Sequence, residues 1–162
     1  GRTSGVGFAT GAIAGLASIT PAAGFVGTMG AFGIGIIGSI AAYTTVKLMA
    51  KTRIDDALEV FAVHGVGGIW GSIATGIFAV QQIDDNGIMQ NVGLIDGETG
   101  LLWANFRAVI AVAAYSGIMT FIILKILDVI PGLGLRVTSD QEDLGLDITL
   151  HGERGYVADG AD

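Results

Sequence analysis

Four apolar stretches, separated by polar punctuation, set the pattern of this 162-residue chain. They cover about residues 5–20, 31–50, 57–80 and 104–127. A helix needs about 20 apolar residues to cross a bilayer, so three of the four are long enough and the first is short. Along the first stretch, Gly7, Gly11 and Gly15 recur every four residues and give one smooth helix face for a close neighbour. Thr20-Pro21 ends it, because proline removes a backbone donor and disfavours helix in the residue before it. Residues 21–30 then form a tight connection or an irregular bend. The second stretch closes on Lys47, Lys51 and Arg53, and the third opens on Asp55 and Asp56. A polar loop over 81–103 carries Asp84, Asp85, Asp96 and Glu98 and no basic residue. Pro131, Gly132 and Gly134 end the fourth stretch. The pattern predicts an all-α, polytopic membrane helix bundle of about four transmembrane helices, residues 1–130, followed by a polar tail, 131–162.

Composition agrees with that pattern. Apolar residues make up 51% and charged residues 14%, against about 25% charged in an ordinary soluble domain. The mean hydropathy is +0.67. Between Arg2 and Lys47 there is no Asp, Glu, Lys, Arg or His. The first apolar run lacks the short basic-then-apolar layout of a signal peptide and continues too far to be one. No cysteine is present, which excludes disulfides, thiolate metal sites and a cysteine nucleophile. The net charge of −7 resides mainly in the polar segments, and no basic patch points to nucleic acid.

Charge placement gives an orientation. Four antiparallel spans put Arg2, Lys51, Arg53, Arg136 and Arg154 on one side, with Lys47 and Lys125 at helix ends facing it. The other side holds the acidic loop, with only Arg107 nearby. The positive-inside rule places the tail in the cytoplasm, and the third span then runs from inside to outside. Trp103 occupies an interfacial position, and Arg107 and Lys125 reach the headgroup region by snorkelling.

His64 lies inside the third apolar run, and ionisable groups in such places are costly and commonly functional. On a regular helix, Val60, Phe61, Gly67 and Gly68 lie three or four residues from it, with Gly71 a turn further, so one face offers an imidazole, a small apolar wall and room for close approach. A neutral imidazole has one donor and one acceptor nitrogen and suits the passage of a small neutral polar molecule. The alternative is that His64 merely hydrogen-bonds a neighbouring helix. Asp55, Asp56 and Glu59 either cap the helix towards water, where acidic groups suit the positive end of its dipole, or shape a mouth below His64. Trp70 and Phe78 are read as packing or lipid contacts. Gly65-Val66-Gly67-Gly68 is followed by no Lys-Ser/Thr and is no phosphate loop. No Ser/His/Asp arrangement supports hydrolysis. His64 and His151 fall in different layers, which argues against a shared metal; no enzyme activity or cofactor is expected. The tail segment GLDITLHGERGY, 145–156, is either a disordered terminus or a docking element that uses Leu146, Ile148, Leu150 and Tyr156.

Three motifs, DDALEVFAVHGVGGIWGSIATGIFA (55–79), GAIAGLASITPAAGFV (11–26) and LGLRV…LGLDITLHGERGY (133–156), in this order, resemble the ammonium transporter family, which is related to the Rhesus proteins. The resemblance covers nearly the whole chain, apart from the 81–103 loop and the last residues. It implies the last four helices and cytoplasmic tail of a homotrimeric cell (inner) membrane transporter for ammonium/ammonia, with one pore per subunit. His64 would be one of two pore histidines, its partner lying on an earlier helix, and Val60 part of the pore wall. Asp55, Asp56 and Glu59 would form the cytoplasmic mouth, Glu59 standing where the family usually has Asp. Gly145, Asp147, His151, Gly152, Glu153 and Tyr156 match a tail that touches a neighbouring subunit and receives PII-type regulatory proteins. Two other functions fit fewer of these features: an ammonium sensor or docking module in which the tail matters more than flux, and a Rhesus-type gas channel.

Overall fold

The computed structural model describes residues 4–80 and 92–155. Among these residues the chain is helical and has no strand. The long helices are α1 (Gly5–Ile19), α2 (Thr28–Met49), α3 (a wide π-helical turn, Phe61–Val66, continuing as α-helix through Gly67–Phe78) and α4 (Gly100–Val129). Two short helices follow, α5 (Ser139–Leu144) and α6 (Leu146–His151). Among the described residues, four segments are long and apolar enough to cross a membrane: Gly5–Ala22, Thr28–Met49, Phe61–Phe78 and Gly100–Val129.

Ser4 starts α1 by accepting the Gly7 N–H at 3.0 Å, as a serine N-cap should. Beyond Ile19 the chain tightens into a 3₁₀ turn, Thr20–Ala22, with Pro21 near its start, where its missing N–H costs nothing. This turn lengthens the first apolar segment to 18 residues. The second helix starts at Thr28, three residues before the position the hydropathy pattern predicts. The third starts at Phe61 rather than 57, because Glu59 sits at φ +58, a left-handed conformation that no helix can continue through. The fourth is longer than 104–127 at both ends. Half of the 81–103 loop, residues 81–91, lies outside the described residues.

Helices α1, α2 and α3 meet around a buried serine. Ser18 is fully buried, and its hydroxyl donates to the Ala14 carbonyl at 2.8 Å, so the burial leaves no orphan donor. A methyl group added at Gly38 of α2 would collide with the Ser18 side chain, and one at Gly71 of α3 with the Ser18 carbonyl. The three backbones therefore approach as closely as glycine allows, the device membrane helices use where no hydrophobic drive holds them together. On either side of this junction lie two small apolar clusters, Ala14 with Ala42 and Val63, and Ala22 with Ile34 and Ala74. Two polar contacts add direction. Ser39 of α2 donates to the Gly11 carbonyl of α1 at 3.1 Å, and the Trp70 indole of α3 donates to the Ile34 carbonyl of α2 at 3.0 Å. Of the predicted glycine stripe, Gly11 and Gly15 face α2, while Gly7 serves the N-cap.

At the far end of α3 the chain is pinned to the α1–α2 connection. Val26 and Ala79 form an antiparallel bridge, Val80 N–H donates to the Phe25 carbonyl at 2.9 Å, and Gly93 N–H donates to the Ala79 carbonyl at 2.8 Å. The start of α4 packs on α3 where Gly76 meets Leu102. Along α4 no residue is buried, and large apolar side chains of all four long helices face outward. Such surface suits lipid or further helices, not water.

The junction makes a direct prediction. Gly71→Val forces a branched side chain against the Ser18 backbone, and overpacking of this kind costs about 1–3 kcal/mol. The expected outcome is loss of folded protein in the membrane, read by detergent extraction and size-exclusion chromatography; a wild-type profile would contradict the junction.

Candidate functional site

His64 sits in the wide turn that begins α3, and its side chain is exposed. It lines an open, mostly apolar groove of about 580 Å³ between α3 and the first half of α4. Phe61, Gly65 and Gly68 flank it, and Ser72 and Asn105 bring polar groups to the same groove. No hydrogen bond from the imidazole is formed within the described residues. The face predicted for His64 holds only in part. Gly68 and Phe61 share the groove, but Gly67 and Gly71 are buried against Ser18 on the adjoining face. Val60 is 52% exposed and does not line the groove.

Asn105 and Ser72 were not legible as site residues. Asn105 Nδ2 donates to the Ser72 carbonyl at 2.8 Å and ties α4 to α3 beside the groove. A lone carboxamide inside the fourth apolar run was the available signal, since such a group seeks a partner in an apolar layer.

The three acidic residues separate into two roles. Asp56 caps α3, its Oδ1 accepting the Val60 N–H at 2.9 Å and its Oδ2 the Phe61 N–H at 3.0 Å. Asp55 makes no such bond. Asp55, Asp56 and Glu59 together line a small hollow of about 240 Å³, walled by Val46, Met49 and Ile54. Arg107 donates from Nε to the Trp103 carbonyl of its own helix at 3.3 Å, and Trp103 meets Phe106 edge-on at 5.9 Å.

Among its described residues the tail carries two short helices. Thr138 and Gln141 form a reciprocal capping box at the start of α5. Gly145 joins α5 to α6 at φ +95, and Gly152 ends α6 at φ +67; both are values that a side chain would strain. Thr149 links the two helices by donating to Gln141 and Gly145 carbonyls, alternatives within 3.3 Å and 2.9 Å. Asp147 closes the following loop. Its Oδ2 accepts the Gly155 N–H at 3.0 Å, and its carbonyl accepts the Glu153 N–H at 3.0 Å. The Gly155 bond, then the Ile148 N–H, holds the Asp147 carboxyl below its ordinary value. His151 and Glu153 are exposed, as are Leu146, Ile148 and Leu150. Tyr156 lies outside the described residues.

A model of the Ammonium Transporter Family matches residues 1–156. The chain belongs to the ammonium transporter family. The match runs through the 81–103 loop that the three motifs leave out. The ammonium transporter of Bacillus subtilis is 45% identical over 152 residues, covering 93% of this chain and 36% of that protein. Ammonium transporter Amt1 of Archaeoglobus fulgidus is 42% identical, covering 97% and 38%. The crystal structure of Saccharomyces cerevisiae Mep2 superposes with a TM-score of 0.78 at 35% identity, over 86% of this chain and 31% of that one. The chain thus spans about a third of the length of the relatives it matches. With its four long apolar helices, this member of the family is an integral membrane protein.

Because folding depresses the Asp147 pKa, its contribution to the tail is fully present above the ordinary aspartate value of 3.8 and is lost as pH falls through the lower folded value. Asp147→Asn should therefore loosen the loop already at neutral pH. Faster tryptic cleavage after Arg154 than in the unsubstituted protein is the expected result; equal rates would contradict the role.

Proposed function

We propose that this chain forms the carboxyl-terminal part of an ammonium/ammonia transporter and supplies one wall of its pore. The observation that carries the reading is His64, a lone imidazole facing an apolar groove on a helix of membrane-spanning character, in a chain of the ammonium transporter family. An ammonium ion in such a groove would lose its hydration with no counter-charge to replace it, a cost of several kcal/mol even after relaxation. Ammonia carries no such penalty. Ammonium therefore gives up its proton before the constriction, ammonia passes the imidazole, and the proton returns on the cytoplasmic side. A neutral imidazole can accept a hydrogen bond from ammonia at one nitrogen and donate to it from the other. The second pore histidine comes from the part of the transporter that this chain does not span.

In this reading residues 1–130 form the membrane part and 131–162 a cytoplasmic regulatory tail. Val60 belongs with His64 to the pore wall, and Asp55, Asp56 and Glu59 shape the cytoplasmic mouth. The transporter is a homotrimer in the cell membrane, and the tail offers Gly145, Asp147, His151, Gly152, Glu153 and Tyr156 to a neighbouring subunit and a PII-type regulator. Support for the tail's role is that its two short helices leave apolar side chains exposed, a surface to dock. The protein works as a transporter, without covalent catalysis or a cofactor.

In the full-length protein His64→Ala should lower methylammonium uptake by about tenfold or more, equivalent to about 1.4 kcal/mol of barrier. Uptake at the unsubstituted rate, with equal protein in the membrane, would rule out the pore role. Removing residues 138–162 should abolish binding of the regulator while the oligomer still assembles; retained binding would contradict the tail assignment.

A further inference from the structure

The first turn of α3 is unusual in two ways that a pore wall does not by itself require. It is π-helical over Phe61–Val66, and it is preceded by Glu59 in a left-handed conformation at φ +58. A π-helical turn pairs each residue with one five positions away and is found mostly as a single turn, often at functional sites. Here it resolves a conflict of faces. Ala62 and Gly67, five residues apart, are both buried, Ala62 at 1% exposure. In a regular α-helix, residues five apart point about 140° away from each other. Such a helix continued back from Gly67 would turn Ala62 away from α1 and α2. The wide turn lets Ala62, Val63 and Gly67 bury together while His64 between them faces the groove.

The wide turn also needs an acceptor that the helix lacks. An α-helix leaves its first four N–H groups without partners, and i→i+5 bonding leaves one more. The Asp56 carboxylate meets that need with both oxygens, one on the Val60 N–H and one on the Phe61 N–H. Glu59, reversed in φ, carries the chain from Asp56 into the turn.

We propose that Asp56 is a positioning residue for His64: by holding two successive N–H groups it fixes the wide turn, and the wide turn sets the imidazole towards the groove with Ala62 buried behind it. This rests on the reading of His64 as a pore residue, but its test reads geometry and not flux. The segment contains no cysteine of its own, so single cysteines report directly. In the full-length protein, freed of other cysteines, Ala62→Cys and His64→Cys are treated separately with N-ethylmaleimide. With Asp56 present, position 64 labels and position 62 stays protected. With Asp56→Ala the turn relaxes towards regular helix, and labelling shifts: position 62 becomes reactive and position 64 loses reactivity. An unchanged pattern overturns the proposal. Should Asp56→Ala not reach the membrane, Asp56→Asn, which keeps one of the two acceptors, decides it: partial gain at 62 supports the proposal, and none overturns it. If the labelling shifts but His64→Ala leaves uptake intact, the positioning stands and the pore reading falls.

Discussion

Everything else in the membrane part depends on how closely three backbones meet at Ser18. Because Gly38 and Gly71 carry no side chain, α2 and α3 can rest directly on α1, and Ser18 satisfies its own hydroxyl without asking a neighbour for a partner. In lipid no hydrophobic force separates protein from solvent, so such van der Waals contact, helped by the Trp70 and Ser39 hydrogen bonds, has to hold the helices. The contact also orients them. Once Gly67, Gly71 and Ala74 are committed to the inner side of α3, the adjoining face is left open, and it carries His64, Gly68 and Ser72.

The broad architecture was legible because hydropathy depends on composition, and four apolar runs survive any local irregularity. The cap at Asp56 was legible as one of three acidic candidates, since carboxylates at a helix start have a plain electrostatic reason. The face of His64 was less so. A regular wheel groups it with Gly67 and Gly71, but the wide turn breaks the period on which the wheel rests. No residue in FAVHGV announces that turn; it goes with the burial of Ala62, which depends on neighbours distant in sequence, and with the left-handed Glu59 just before it. Asn105 shows the same limit. Its polarity was visible, while its acceptor, the Ser72 carbonyl, is set by the approach of α4 to α3 at Gly76.

The tail motif divides on inspection into residues that build and residues that remain available. Gly145, Asp147 and Gly152 shape two short helices and the loop after them, through backbone conformations and through N–H groups captured by one carboxylate. His151 and Glu153 stay exposed, with Leu146, Ile148 and Leu150 alongside. A sequence pattern of this kind therefore mixes folding requirements with recognition, and only the second set has side chains left to offer a partner.

The central claim is that His64 is half of a site whose other half lies in the portion of the transporter this chain does not span. The groove in front of it, about 580 Å³ and walled mainly by apolar side chains, has room for that half. A cryo-electron microscopy structure of the full-length protein tests this most directly. The account predicts a second imidazole facing His64 across a narrow apolar passage. A groove filled by apolar side chains, with no polar group opposite His64, would contradict it.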